Sequence, residues 1–274
     1  MRRIVHLSDL HFGKIDERNI APLLLRIKHI HPELVVISGD LTQRGTKREF
    51  QKARDFIISL ALPVLAVPGN HDVPYYDVWN RLCSPYGRFT QFITPITSDR
   101  YTDEEIVIVG LNSVRQLSFW GGRIAERELA RVEDIIKDVP TDGIRIVFMH
   151  HPLALPSAKE WHSDPFHNVV SGSERAMQRL ANAHVDIFLT GHLHVFSIAN
   201  TTEHYKIENY AGLIVQAGTA LSSRLRGETS SFNVITTEKQ LITVENYRRN
   251  VEIDDFTLVS AMTFDKGEQG WKSA

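Results

Sequence analysis

Eight residues standing just beyond five short apolar runs carry the chemistry of this sequence. The run at 4–7 stops at Asp9-Leu10-His11, the run at 34–37 at Gly39-Asp40, and the run at 64–67 at Gly69-Asn70-His71-Asp72. The run at 144–149 stops at His150-His151, and that at 185–189 at Gly191-His192-Leu193-His194. Asp9, His11, Asp40, Asn70, His71, His150, His192 and His194 supply carboxylate, amide and imidazole donors with no thiolate. Such a set suits Mn, Fe or Zn in a reactive centre better than a cysteine-based structural zinc. It also exceeds what one ion needs. Two ions about 3.5–4 Å apart, sharing one carboxylate, would use it fully, and that is an arrangement for in-line displacement at phosphorus. Water between two cations should be largely hydroxide near neutral pH, since one Zn²⁺ alone brings its pKa to about 7.

These residues must be brought together by the elements that precede them. Runs of four to six aliphatic residues without alternation read as strands buried on both faces. Parallel strands would bring the five polar ends to one edge of a sheet, where open α/β sheets bind ligands. Helical spacing at 17–31, 46–60, 126–138 and 171–183 alternates with the strands, which predicts an α/β layered sandwich. Thr46 with Glu49 forms a capping-box sequence, and Ser171 with Glu174 a second. After Gly212 the texture turns to strands at 213–217, 232–236, 241–247 and 256–264, a second sheet or an extension of the first. One domain over 1–274 is expected, with the irregular stretches 73–105 and 153–170 as cap elements.

The charge balance excludes some partners. Thirty-one basic against thirty-three acidic residues, net charge −2, is not the excess expected of a bulk nucleic-acid binder or a polybasic membrane protein. No apolar run approaches a membrane span. The basic start breaks at Ser8-Asp9 before a signal-peptide core develops. Cys83 is the lone cysteine, so no intrachain disulfide forms, and a reducing, cytoplasmic setting is expected. With no evident catalytic partner, Cys83 reads as a buried bystander.

Taken in order, Asp9-x-His11, Gly39-Asp40, Gly69-Asn70-His71-Asp72, His150 and Gly191-His192-x-His194 resemble the motif set of the calcineurin-like metallophosphoesterase superfamily. The segments at 35–42 and 67–74 look most like the bacterial class III cyclic-nucleotide phosphodiesterases, a group that includes glycerophosphodiesterases. The resemblance implies a four-layer αββα sandwich, two mixed β-sheets flanked by helices. It assigns one metal to Asp9, His11, Asp40 and His194, and the other to Asp40, Asn70, His150 and His192, with Asp40 bridging. His71 is carried over as the acid near the leaving group, oriented by Asp72. The implied activity is hydrolysis of a small phosphodiester, a cyclic nucleotide or a glycerophosphodiester, with Mn or Fe favoured over Zn. Pro68 stands where the protein-phosphatase branch has arginine, which disfavours phosphoprotein substrates. A repair-type metallonuclease, a nucleotide-lipid pyrophosphate hydrolase and a non-catalytic scaffold share the motif set or the fold.

Arg44 is in register with an arginine that contacts phosphate in the protein-phosphatase branch, and either does likewise or holds its own loop. His151 reads as a neighbour of the metals or of substrate. His162 and His167 lie in a long loop after a ligand position and either face substrate or are structural. Arg224 and Arg226 read as a solvated turn.

Overall fold

Residues 1–116, 121–137, 139, 143–155, 169–224 and 227–274 are described by the computed structural model of the chain. The apolar runs form strands in which alternate side chains enter different cores, so both faces must be apolar. Ile4, Leu34 and Val36 face one core while Val5, Val35 and Ile37 face another. Strands β1 (Arg2–Leu7), β2 (Leu34–Ile37) and β3 (Val64–Ala66) pair in parallel. The sheet continues beyond β1 through antiparallel β10 (Ser231–Glu238), β11 (Leu241–Asn250), β12 (Asp255–Gly267) and β13 (Gly270–Ser273).

A second sheet has the order β4 (Arg100–Thr102), β5 (Ile106–Gly110), β6 (Ile144–Phe148), β7 (Ile187–Thr190), β9 (Leu213–Gln216) and β8 (Ser197–Asn200). Its four central strands are parallel. The two sheets stack through Ile4, Leu34 and Leu65 on one side and Ile108, Ile146 and Leu189 on the other. Helices α1 (Ile20–Ile30) and α2 (Lys47–Ser59) cover the first sheet with Leu23, Ile27, Phe50 and Ile57. Helices α5 (Glu126–Ile136) and α6 (Ser173–Asn182) cover the second with Leu129, Val132, Met177 and Leu180. The result is the four-layer αββα sandwich. No helix among the described residues is long and apolar enough to cross a membrane.

Several local expectations change in the fold. Thr46 does cap α2, its Oγ1 accepting from the Glu49 N–H while Glu49 reaches back to the Thr46 N–H. Ser171 does not cap α6. Its N–H is given to the Gly122 carbonyl, and α6 starts after Gly172, whose φ of 79° is left-handed. The strands after 212 divide: β9 joins the second sheet, and the rest extend the first. The stretch 73–105 divides too. Its helix α4 (Gly87–Phe92) packs on α2, with the Phe50 and Phe92 rings stacked 6.3 Å apart, and β4 edges the second sheet. Only its α3 (Val78–Cys83) stands out, with Val78, Trp79, Leu82 and Cys83 exposed. The bystander reading of a buried Cys83 is thereby corrected.

His6, in the middle of β1, is fully buried, with Nε2 2.9 Å from Ser38 Oγ and no partner for Nδ1 among the described residues. Burial depresses its pKa to about 3, against a smaller opposing pull from Asp9. Below pH 6.5 the unfolded chain takes up a proton here that the folded chain refuses, so stability falls as pH drops from 6.5 toward 3. The loss at pH 5.5 should be about 1.4 kcal/mol. Urea unfolding of chelator-treated protein at pH 7.0 and 5.5 should show this loss shrinking by that amount in His6→Gln. An unchanged pH dependence in the variant would remove His6 as its source.

Candidate metal centre

The five ligand-bearing loops follow β1, β2, β3, β6 and β7. Read from the residues alone they would share one sheet edge. In the fold they come from both sheets, which end side by side. The turns are tight and left-handed: φ is 52° at Asp9, 52° at His11, 53° at Asp40, 75° at His192 and 62° at His194. For residues with a Cβ this conformation costs roughly 1–2 kcal/mol each, and such outliers gather where a site demands a side-chain direction. Backbone bonds between loops hold the turns, from Asp9 N–H to Gly39 O at 3.1 Å, His11 N–H to Asp40 O at 2.9 Å and Gly191 N–H to His150 O at 3.0 Å.

Asp40 sits at the middle. Its Oδ1 accepts from the His71 N–H at 2.9 Å, while Oδ2 lies 3.6 Å from His11 Nε2 and 3.5 Å from His150 Nε2. Asp9 Oδ2 accepts from the His192 N–H at 2.9 Å, and Oδ1 faces His194 Nε2 at 3.2 Å and His11 Nε2 at 3.7 Å. His150 Nδ1 donates to the Ser38 carbonyl at 2.9 Å and His194 Nδ1 to the Arg224 carbonyl at 3.0 Å. A carbonyl oxygen only accepts, so each neutral ring carries its proton on Nδ1 and aims a bare Nε2 inward.

Those bare nitrogens meet further ligand-type atoms, one of them the Asn70 amide oxygen, which only accepts. His194 Nε2 is 3.0 Å from His11 Nε2, and His150 Nε2 is 3.0 Å from Asn70 Oδ1 and 3.3 Å from His192 Nδ1. Asp9 Oδ1 and His11 Nδ1 are buried without a hydrogen bond among the described residues. Buried acceptors turned toward one another are unfavourable unless a cation lies between them. The donor chemistry therefore fits divalent cations. Triads of such donor atoms, each within 4.8 Å of one another, include Asp9/His11/His194 and Asp9/Asp40/His150.

The electrostatics follow the same crowding. Burial opposes ionisation of Asp9, but the attraction of His194 and its neighbouring imidazoles holds that carboxyl well below the usual carboxylate range. His192 is held well below the ordinary imidazole range by burial, then by repulsion from His151 and His150. Against burial, the charge of Asp9 raises His194.

The remaining predicted residues fall into three groups. His71 is half-buried, with Nδ1–H donating to Gln43 O at 2.7 Å and Nε2 accepting from Arg224 Nη1 at 3.3 Å. His151 is buried against the His192 ring with centroids 4.7 Å apart, and its Nδ1 lies 3.0 Å from Ser113 Oγ. Asp72 does not touch the His71 ring in the bonds found. Its carboxylate accepts from the backbone of Gly69 at 2.9 Å, Leu41 at 3.1 Å and Thr42 at 2.8 Å, tying the β2 and β3 loops together. Burial and the charge of Asp40 raise the Asp72 carboxyl, against those donors. The expected orienter of His71 is thus replaced by the Gln43 carbonyl. Arg44 is exposed, its guanidinium 5.5 Å from the Tyr76 ring. His162 and His167, like Arg226, lie outside the described residues.

Three contributors had gone unassigned. The part of Gln43 is played by its backbone carbonyl, which any residue type supplies. Ser113 and Thr219 carry ordinary hydroxyls, and Thr219 Oγ1 donates to Asp9 O at 2.6 Å. Arg224, read as solvated, holds two histidines. Its guanidinium touches His71 and its carbonyl fixes His194.

Known proteins resemble this chain in sequence and in fold. The profile of the calcineurin-like phosphoesterase family matches residues 2–196. A "Probable cyclic nucleotide phosphodiesterase" of Vesicomyosocius okutanii is 26% identical over 167 residues, 58% of this chain and 64% of that one. A "Probable glycerophosphodiester phosphodiesterase GpdQ" of Arcobacter nitrofigilis is 27% identical over 203 residues, 70% of this chain and 71% of that one. The purple acid phosphatase PPD1 of yellow lupin superposes with a TM-score of 0.70 at 14% identity, covering 96% of this chain and 53% of the lupin chain. The chain thus spans about two thirds of these curated relatives and half of the plant phosphatase. With the profile covering well over half of its length and the fold agreeing, the chain belongs to the calcineurin-like phosphoesterase family.

Proposed function

We propose that the chain is a binuclear metal-dependent phosphodiesterase acting on a small phosphodiester of the cyclic-nucleotide or glycerophosphodiester kind. The observation that carries this reading is the set of unprotonated imidazole nitrogens and carboxylate oxygens, supplied by both sheets, that close around Asp40. Asp9, His11, Asp40 and His194 would hold one ion, and Asp40, Asn70, His150 and His192 the other. Oxygen and imidazole donors suit Mn, Fe and Zn alike, and the family resemblance favours Mn or Fe. When bound, the metals activate water and hold the phosphoryl oxygens.

The protein's own residues do the rest. Ser38 O and Arg224 O fix the rings of His150 and His194 so that their Nε2 atoms converge. The neutral Asn70 amide supplies an oxygen without adding negative charge opposite an anionic substrate. His71 is the proton donor to the leaving oxygen. Its Nδ1 proton is engaged by Gln43, so Nε2, which accepts from Arg224 in the neutral ring, is the atom that would take up a proton and pass it to the leaving oxygen.

Hydrolysis of bis-p-nitrophenyl phosphate by chelator-stripped protein, before and after Mn²⁺, tests the reading. The expected result is turnover that appears only with metal and exceeds that on p-nitrophenyl phosphate. Folded, metal-loaded protein that leaves the diester intact would end the phosphodiesterase reading.

A further inference from the structure

Beside His71 lies a cleft of about 400 Å³ lined by Gly13, Lys14, Gln43, Arg44, Glu49 and Arg224. Three of these side chains are cationic and one is anionic. The Glu49 carboxylate accepts from the backbone N–H groups of Arg44, at 3.1 Å, and Thr46, at 3.0 Å, through Oε2, and the lining keeps a positive excess with its charge counted. None of the three cationic heads has a carboxylate partner among the described residues. Arg224 reaches only the His71 ring, and Arg44 lies over Tyr76. Some arginines elsewhere are paired, Arg2 with Asp103, Arg88 with Asp77 and Arg179 with Glu133. The single unpaired ones such as Arg48 and Arg54 are not grouped in a cleft with two other cations among the described residues. Three unpaired cations gathered in one cleft, in a chain of net charge −2, form a local field of the opposite sign to the molecule.

The cleft is held in place by the same loops that carry the metal donors. Lys14 N–H donates to His11 O at 2.8 Å, and Ser223 N–H to Lys14 O at 2.9 Å, so the Lys14 and Arg224 backbones are tied side by side. Arg224 contacts His71 Nε2, the atom that faces the leaving group in the proposed reaction. An anion in this cleft would therefore lie on the departing arm of the substrate, beyond His71. A guanidinium fork is suited to phosphate oxygens, and Lys14 adds a point charge.

We infer that Lys14, Arg44 and Arg224 form a subsite for a second phosphate, so that the preferred substrate is a phosphodiester whose leaving arm itself carries a phosphate group. The role of this subsite rests on the phosphodiesterase reading above. It selects substrate by charge, separately from the scissile phosphate held at the metal centre.

Adenosine 5′-monophosphate and adenosine 3′,5′-bisphosphate share base and sugar and differ by one phosphate, which makes them the probes. Titration calorimetry on Mn²⁺-loaded protein should show the bisphosphate binding at least tenfold more tightly than the monophosphate. In the double variant Lys14→Gln/Arg224→Gln that ratio should fall to within twofold, with metal content unchanged because the Arg224 carbonyl that fixes His194 remains. The single variant Lys14→Gln, at a side chain with no hydrogen bond or ion pair among the described residues, should lower the ratio in part and guards against misfolding of the double variant. A ratio within twofold in the native protein, or a tenfold ratio surviving in the double variant, overturns the subsite. Bis-p-nitrophenyl phosphate turnover on the same samples separates the two proposals. In the native protein, a ratio within twofold with turnover intact refutes the subsite alone, and a full ratio without turnover refutes the phosphodiesterase reading alone.

Discussion

Asp40→Asn should reduce metal-dependent phosphodiester hydrolysis by about three orders of magnitude or more, a barrier increase of about 4 kcal/mol. The substitution keeps the shape and can keep the hydrogen bond from the His71 N–H. What changes is the atom between His11 and His150. An amide in place of Oδ2 either turns an N–H₂ toward the imidazoles or offers a neutral oxygen, and neither can balance two cations. Metal content by mass spectrometry should fall from two ions per chain to one or fewer. The metal-free variant should be no more stable than the parent, because, against burial, the imidazoles around Asp40 hold its carboxyl below the usual range, an attraction the amide forgoes. Full turnover with two ions retained would displace Asp40 from the centre.

Gly69→Ala should be the most damaging single methyl in the molecule's active half. A Cβ at Gly69 would stand 2.8 Å from Asp40 Cγ and closer still to its Oδ1 and amide nitrogen. The obstacle is backbone, and that backbone is pinned by Asp72 bonds to the adjacent Leu41 and Thr42 N–H groups. It has no flexible end to swing aside. Overpacking of this kind costs about 3 kcal/mol, or about 6–12 °C in melting temperature for a chain of this size. Asp40 would be pushed off its position, so activity should fall along with stability. Calorimetry of the stripped protein and turnover of the loaded one check both halves. A variant that melts within 1–2 °C of the parent would mean that the β2 and β3 loops separate more readily than their bonds imply.

The ligand set was legible because each member follows an apolar run directly, and a strand's end fixes where its next residue emerges. Asp9, Asp40 and His150 needed no more than that. Which sheet each strand joins was not legible from the residues. Ile4 and Ile146 are equally apolar, and burial on both faces says nothing about the neighbour. The second sheet came from the family resemblance. The strand at Ile106–Gly110 is as apolar as the rest, but it ends in no metal-binding residue, so nothing drew attention to it. Ser171 followed by Glu174 has the residue types of a capping box. A tertiary bond from Ser171 to Gly122 takes the backbone elsewhere before the helix starts. Arg224 shows the same limit in the site itself. Its place beside His71 depends on the β9–β10 connection folding back over the end of β1, where Ala220 N–H bonds Ser8 O at 3.2 Å. Local composition, Ser-Ser-Arg-Leu-Arg-Gly, describes only a polar turn.

The division of donors between the sheets has a mechanical meaning. Asp9, His11, Asp40 and Asn70 belong to loops of one sheet, and His150, His192 and His194 to loops of the other. Ions seated among them would rivet the two sheets together at one rim, much as a cross-link does, while the opposite rim is held by packing and by bonds such as Arg2 to Asp103 at 2.7 Å and Trp271 Nε1–H to Asp186 at 2.8 Å. Withdrawing the ions would leave that rim to a few bonds between the sheets, such as His192 N–H to Asp9 Oδ2 and His150 Nδ1–H to Ser38 O, and to the crowding of His150, His151 and His192. The catalytic end of the molecule would then also be its hinge of first opening, and the same atoms that carry out the chemistry would set how long the sandwich stays shut.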